Sequence, residues 1–243
     1  MKKLNLFLNL LFWASLTVQA QNWTNKKVKG NGAVKTITRN TEDYNSVHVY
    51  GSLDVELIEG EEGFIEIEAE GNLMEYITTK VVGNELIIKT KKNHYLRPSD
   101  RKGIVITVPF KHLNKVEISG SGDIKSTSTI KSDDFSVSVS GSGDVSLHVE
   151  TETLKAEIAG SGDIKLYGNT ENVTIAIEGS GDVSAYEFKS ENAKVSIAGS
   201  GDVKLFVTEQ IDAFIAGSGD ISYKGNPKNI EKSIAGSGTI SQE

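Results

Sequence analysis

The sequence predicts an all-β fold: a single-stranded parallel β-helix with coils of about 19 residues and an irregular β-structured cap at its N-terminal side. Three observations predict it. A Gly-Ser-Gly-Asp motif starts at Gly120, Gly141, Gly160, Gly179, Gly199 and Gly217, and returns as Gly236-Ser237-Gly238-Thr239. The spacings of 21, 19, 19, 20, 18 and 19 residues fall in the range of solenoid repeats. Around each motif apolar residues alternate with polar ones, as in Val137, Val139, Gly141, Gly143, Val145, Leu147 and Val149, the period-two signature of a strand with one buried face. Capping signals and apolar stripes at helical spacing are absent. The 24 glycines against 3 prolines are thus explained by the repeat, not by collagen-like or disordered composition.

In chain order, residues 1–20 read as a signal peptide. Met1-Lys2-Lys3 is a short basic start, Leu4 to Val18 is a mostly apolar run, and Val18-Gln19-Ala20 places small residues at a cleavage site. The run is short for a membrane span and two asparagines interrupt it. With no cysteine in the chain, a lipid anchor has no attachment point. The expectation is an exported, acidic, soluble protein of a Gram-negative-type bacterium, in the periplasm, at the outer surface or outside the cell.

Residues 21–111 read as an irregular β-structured capping region continuous with the solenoid. Val28-Lys29-Gly30-Asn31-Gly32-Ala33-Val34 is a faint copy of the motif, and Val49-Tyr50-Gly51-Ser52-Leu53-Asp54-Val55 keeps all but its second glycine. Phe64 to Ala69 alternates as a strand. Ile77–Val82 and Glu85–Lys89 flank Gly83-Asn84, a two-residue hairpin signal. Lys91 to Lys102 reads as a loop, and Ile104 to Val108 as a strand ended by Pro109.

Residues 112–243 read as the regular β-helix of seven motifs. Both motif glycines share the register of the buried residues, as in Ile118, Gly120, Gly122 and Ile124. Inward glycine suits a place where the coil bends or the opposite wall comes close. Ser and Asp of the motif then face outward.

The pattern Tyr44-x-x-Val47-x-Val49-x-Gly51, the Val108-Pro109 end of the middle segment, and Val116-x-Ile118-Ser119-Gly120-Ser121-Gly122-Asp123-Ile124 resemble the head GIN domain of auto-transporter adhesins. The resemblance spans about Asn40 to Gly225. It implies an exported β-helical fold and, through the family's label, adhesion. It carries no catalytic residues, and this sequence contains no membrane-inserting barrel of its own.

Thirty-three acidic against 26 basic residues argue against a nucleic-acid partner. The absence of cysteine removes thiolate nucleophiles, iron–sulfur clusters and Cys-ligated zinc. No cofactor is implied. The most repeated acidic feature is the outward column Asp123, Asp144, Asp163, Asp182, Asp202 and Asp220. Unit charges about 4.8 Å apart repel by roughly 1 kcal/mol in water and ~3.5 kcal/mol at an effective dielectric of 20. Lys125, Lys165 and Lys204 stand beside alternate members, and backbone N–H groups of each Asp's own turn would offset the rest. That structural reading is preferred to a calcium ladder, which needs six to eight oxygens per ion. His48, His94, His112 and His148 show no metal-ligand spacing.

A second column, Thr127, His148, Tyr167, Tyr186, Phe206 and Lys224, lies seven residues after each first glycine and reads as outward. Its rings, His148, Tyr167, Tyr186 and Phe206, would stack along four coils as a ligand or partner surface for a glycan or a surface protein. The opposing reading is stacking that only stabilises the solenoid. Six equivalent aspartates lack the asymmetry a glycosidase needs, so the chain reads as a non-enzymatic binding or adhesion module. A carbohydrate-active enzyme on the same scaffold and a structural spacer or assembly unit are the alternatives. The last coil, in which Thr239 replaces Asp, suggests weak end-to-end self-association through Ser233 to Ser241.

Overall fold

The computed structural model describes residues 26–99 and 103–243. The expected signal peptide, 1–20, lies outside the described residues. β-strands carry most of the chain: β1 (Lys26–Lys29), β2 (Val34–Asn40), β3 (Ser46–Gly51), β4 (Asp54–Glu59), β5 (Phe64–Glu70), β6 (Ile77–Val82), β7 (Glu85–Thr90), β8 (His94–Arg97) and β9 (Val105–Phe110). The long coils follow as β10 (Lys115–Gly120), β11 (Ile124–Gly141), β12 (Val145–Gly160), β13 (Ile164–Gly179), β14 (Val183–Gly199) and β15 (Val203–Gly217), then β16 (Ile221–Lys224), β17 (Asn229–Gly236) and β18 (Ile240–Gln242). A single 3-10 turn, Met74–Tyr76, is the helical element among the described residues. This is the expected parallel β-solenoid of about seven turns.

Each coil pairs in parallel with the next, and like residues face like. The first motif glycines align from Gly120 through Gly141, Gly160, Gly179, Gly199 and Gly217 to Gly236. Ile118, Val139, Ile158, Ile177, Ile197 and Ile215 form one interior column, each at most 2% exposed. Ile124, Val145, Ile164, Val183, Val203 and Ile221 form another. Each such side chain contributes about 1.5–3 kcal/mol by leaving water, which is what the alternating sequence supplies to every coil.

The parity expected of the glycines holds, and of the two expected causes the bend is found while the close approach comes from elsewhere. A Cβ built on Gly143 would lie 2.2 Å from the Gly122 carbonyl oxygen, so the crowding comes from the preceding coil and not from the opposite wall. The first glycine of each motif also takes a positive φ, as at Gly141 (129°), which turns the chain out of the strand.

The stack begins before the regular motifs. β3 pairs with β10 so that Gly51 faces Gly120, and β4 pairs with β11 so that Val55 faces Ile124. Ser46–Gly51 and Asp54–Glu59 are therefore a coil, and residues 60–114 are an excursion between it and the next. That excursion closes the stack: β7 and β9 add in parallel to β3 and β4, then β6 and β5 add antiparallel, and β2, from ahead of the first coil, pairs antiparallel with β5.

The hairpin at Gly83-Asn84 forms as expected, with Val82 opposite Glu85. The faint motif copy at 28–34 lies outside the coil column, β1 pairing with β8 and β2 with β5. Two expectations fail. The loop expected over 91–102 contains β8, which forms because β1 supplies a parallel partner distant in sequence. Pro109 does not end its strand. It faces Ile58 beyond the last residue that β5 pairs, so the missing N–H falls where the second neighbour has stopped.

Candidate functional site

The Asp column is hydrogen-bonded coil to coil. The amide of Asp144 donates to Oδ1 of Asp123 (3.2 Å), that of Asp163 to Asp144 (3.0 Å), and that of Asp182 to Asp163 (3.0 Å). Asp202 and Asp220 continue the chain at 2.8 Å each, and Thr239 ends it by donating both its amide and its hydroxyl to Asp220. The N–H groups that offset the charge thus come from the next coil, not from each residue's own turn. Asp54, omitted from the column read in the sequence, starts it by accepting the Asp123 amide at 3.0 Å. Burial raises the Asp54 carboxyl above its ordinary value, and that amide bond opposes the rise. Lys125 pairs with Glu56 at 2.7 Å. Among the described residues these aspartates do not converge in threes on one point.

The ring column is shorter than expected. His148 and Tyr167 face each other across β12 and β13 with ring centroids 4.7 Å apart and planes 15° apart. Tyr186 does not continue them, because the register shifts after Lys165 and Tyr167 faces Glu187. Phe206 in turn faces Lys189. The 20-residue coil from Gly179 to Gly199 absorbs its extra length here, turning Phe188 into the core at 1% exposure. Tyr186 is half-buried beneath Lys224, whose Nζ lies 4.2 Å from the ring centroid. Burial, reinforced by the nearby Glu243 carboxylate, pushes its phenol up to about 12. Two shallow clefts border Tyr167: one of about 270 Å³ shared with Tyr186 and Lys204, and one of about 330 Å³ reaching Asp123, Asp144 and Asp163.

At the second bend of each coil runs a groove of about 960 Å³, bordered by Asn45 and His112 and reaching from β11 to β15. Thr151, Thr170 and Ser190 form its buried floor, donating to the carbonyls of Asp133 (2.9 Å), Glu152 (2.9 Å) and Phe206 (2.8 Å). Asp133, Glu152, Glu171 and Glu191 line it, with Lys131 and Lys189. The signal was present in the sequence as Ser132-Asp133, Thr151-Glu152, Thr170-Glu171, Ser190-Glu191 and Thr208-Glu209, a second repeat at the coil period.

His48 belongs to neither feature. Its Nδ1 lies 3.6 Å from Glu117 and 3.9 Å from Glu85, a meeting of three strands that spacing along the chain conceals. Burial pushes the His48 imidazole below its ordinary value against the pull of both carboxylates. Glu117 is held below the usual carboxylate range: burial raises it, but the Lys115 ammonium and His48 outweigh that.

Residues 43–227 match the family described as "Putative auto-transporter adhesin, head GIN domain". The chain belongs to this family. Proteins of known structure share its fold. A structure from Bacteroides fragilis, titled a putative adhesin, superposes with TM-score 0.82 at 23% identity, covering 89% of this chain and all of that one. One from Parabacteroides distasonis, titled a putative lipid binding protein, gives 0.75 at 28%, covering 90% and 100%. A third, from Parabacteroides merdae and also titled a putative adhesin, gives 0.71 at 24%, covering 90% and 99%. No curated protein matches. Among the described residues of this head GIN chain, no helix is long and apolar enough to cross a membrane.

Proposed function

We propose that this head GIN protein is an exported, non-catalytic binding module that meets a glycan or a surface protein in the periplasm or at the cell surface. The observation that carries the reading is the stack of the exposed His148 ring on the half-buried Tyr167, whose side chain lines two shallow clefts. Aromatic faces of this kind take up sugar rings and peptide side chains at low entropic cost. Tyr186 lines one of these clefts and Phe206 faces Lys189, and neither extends the stack. Family membership supports adhesion, and the repeated, equivalent carboxylates of the coils supply no acid–base pair in unlike surroundings. The groove at the second bend favours a second seat for the same role. Its axial length suits an extended neutral or basic segment, because acidic side chains outnumber lysines along it.

Screening the purified protein on glycan and peptide arrays, with cell fractionation for export, tests the proposal. His148→Ala with Tyr167→Ser is expected to weaken any selected ligand at least tenfold with unfolding unchanged. Binding that survives this change but is lost with Glu152→Gln, Glu171→Gln and Glu191→Gln moves the site to the groove. Binding indifferent to both, or retention of the protein in the cytoplasm, overturns the proposal.

A further inference from the structure

β7, β3 and β10 lie side by side in parallel, and their register sets Glu117 directly opposite His48, and Glu85 opposite Ser46 two positions away. Three potential donors, His48 Nδ1 and one carboxylate oxygen each from Glu85 and Glu117, lie within 4.8 Å of one another. Ligand atoms around a tetrahedral zinc, each 2.0–2.2 Å from it, stand about 3.3–3.6 Å apart. The separations of 3.6 and 3.9 Å from His48 to the carboxylates approach that spacing without any change of backbone.

The surroundings are those of a supported ligand set. His48 Nε2 is 2.9 Å from Ser119 Oγ, which fixes the ring and leaves Nδ1 to the carboxylates. Tyr50 stacks on the imidazole with centroids 3.9 Å apart. Ser138 donates to the second oxygen of Glu117 at 3.1 Å. Two carboxylates and one neutral imidazole match a divalent ion in charge and its nitrogen-plus-oxygen preference, where calcium would take oxygen alone. Lys115 holds Oε2 of Glu117 at 2.6 Å, and its side chain is 40% exposed. An ammonium and a divalent cation compete for that oxygen, and Lys115 has solvent to move into.

We propose that His48, Glu85 and Glu117 form a site for a divalent transition ion of the zinc class, with a further position open to water or to a partner's donor group. Bound there, the ion ties the hairpin of the cap to the first two coils.

Zinc titration by calorimetry and cobalt titration by visible absorption test this on the whole protein. One ion per chain is expected. His48→Gln and Glu117→Gln should each weaken binding at least tenfold, and Lys115→Ala should tighten it, a change that a purely structural role for these residues would not produce. His94, His112 and His148 remain in every variant, so equal affinity in wild type and His48→Gln overturns the proposal. Should His48→Gln fail to fold, Lys115→Ala and the imidazole resonances of the wild type decide: an unchanged His48 signal under saturating zinc, or weaker binding by Lys115→Ala, also overturns it.

Discussion

A methyl group at Gly162 would stand 2.1 Å from the Gly143 carbonyl oxygen, against backbone that its neighbours hold on both sides. Gly162→Ala is therefore expected to cost about 2–4 kcal/mol in urea unfolding, while Ser161→Ala beside it, facing solvent, stays within about 0.5 kcal/mol. The aspartate that follows works through one acceptor oxygen. Asp163→Ala strips the Asp182 amide of its partner and should cost about 0.5–1.5 kcal/mol, while Asp163→Asn, which keeps a carbonyl there, should cost less. Excess calcium compared with chelator should shift the thermal midpoint by less than about 2 °C, since the ladder is already closed by amides. Tyr44 gives a pH signature. Its buried hydroxyl donates to the Pro109 carbonyl, and burial, aided by Glu62, raises its phenol well above 10. The folded state keeps this proton where the unfolded chain releases it, so stability is level below pH 10 and falls as pH rises past it. Equilibrium unfolding between pH 8 and 11 should show that slope, and Tyr44→Phe should reduce it.

The coils differ in length, and each difference is taken up on the strand after the motif. β14 shows how: Ala185 pairs forward with Leu205, Gly168 faces Phe188, and Glu187 stands where Tyr186 would have met Tyr167. Deleting Glu187 should bring Tyr186 opposite Tyr167 while Phe188 keeps its place opposite Gly168. A third stacked ring in near-ultraviolet circular dichroism, with the fold retained, is the expected result, and lost cooperativity of unfolding would contradict it. This element also marks how far sequence reading reaches. Alternation around Gly141 or Gly199 is local, so strand, parity and coil count were legible. The Gly83-Asn84 turn was legible for the same reason. The break in the ring column was not, because a bulge is decided by the neighbouring coil's length. Nor was β8, whose partner β1 lies more than sixty residues away. His48, Glu85 and Glu117 were unreadable as a group because parallel pairing, not spacing, assembles them.

The two ends of the whole stack are unlike. The N-terminal side is covered by antiparallel strands, whereas β17 carries Ile230 and Ile234 in the inward columns at 44% and 45% exposure. Pairing of this face with another copy would cover both, so sedimentation of the purified chain should show weak, concentration-dependent association that Ile230→Lys with Ile234→Lys abolishes. A strictly monomeric wild type at high concentration would refute it. The direction of the Asp ladder has a consequence for how such a molecule comes into being. Every amide in it reaches back to an oxygen of the coil before, so the acceptor is always synthesised ahead of its donor. A chain delivered amino end first, from a ribosome or through a pore, would meet a finished template after each nineteen or so residues. Assembly could then advance like a zip pulled one way, with little of the chain left loose at any moment.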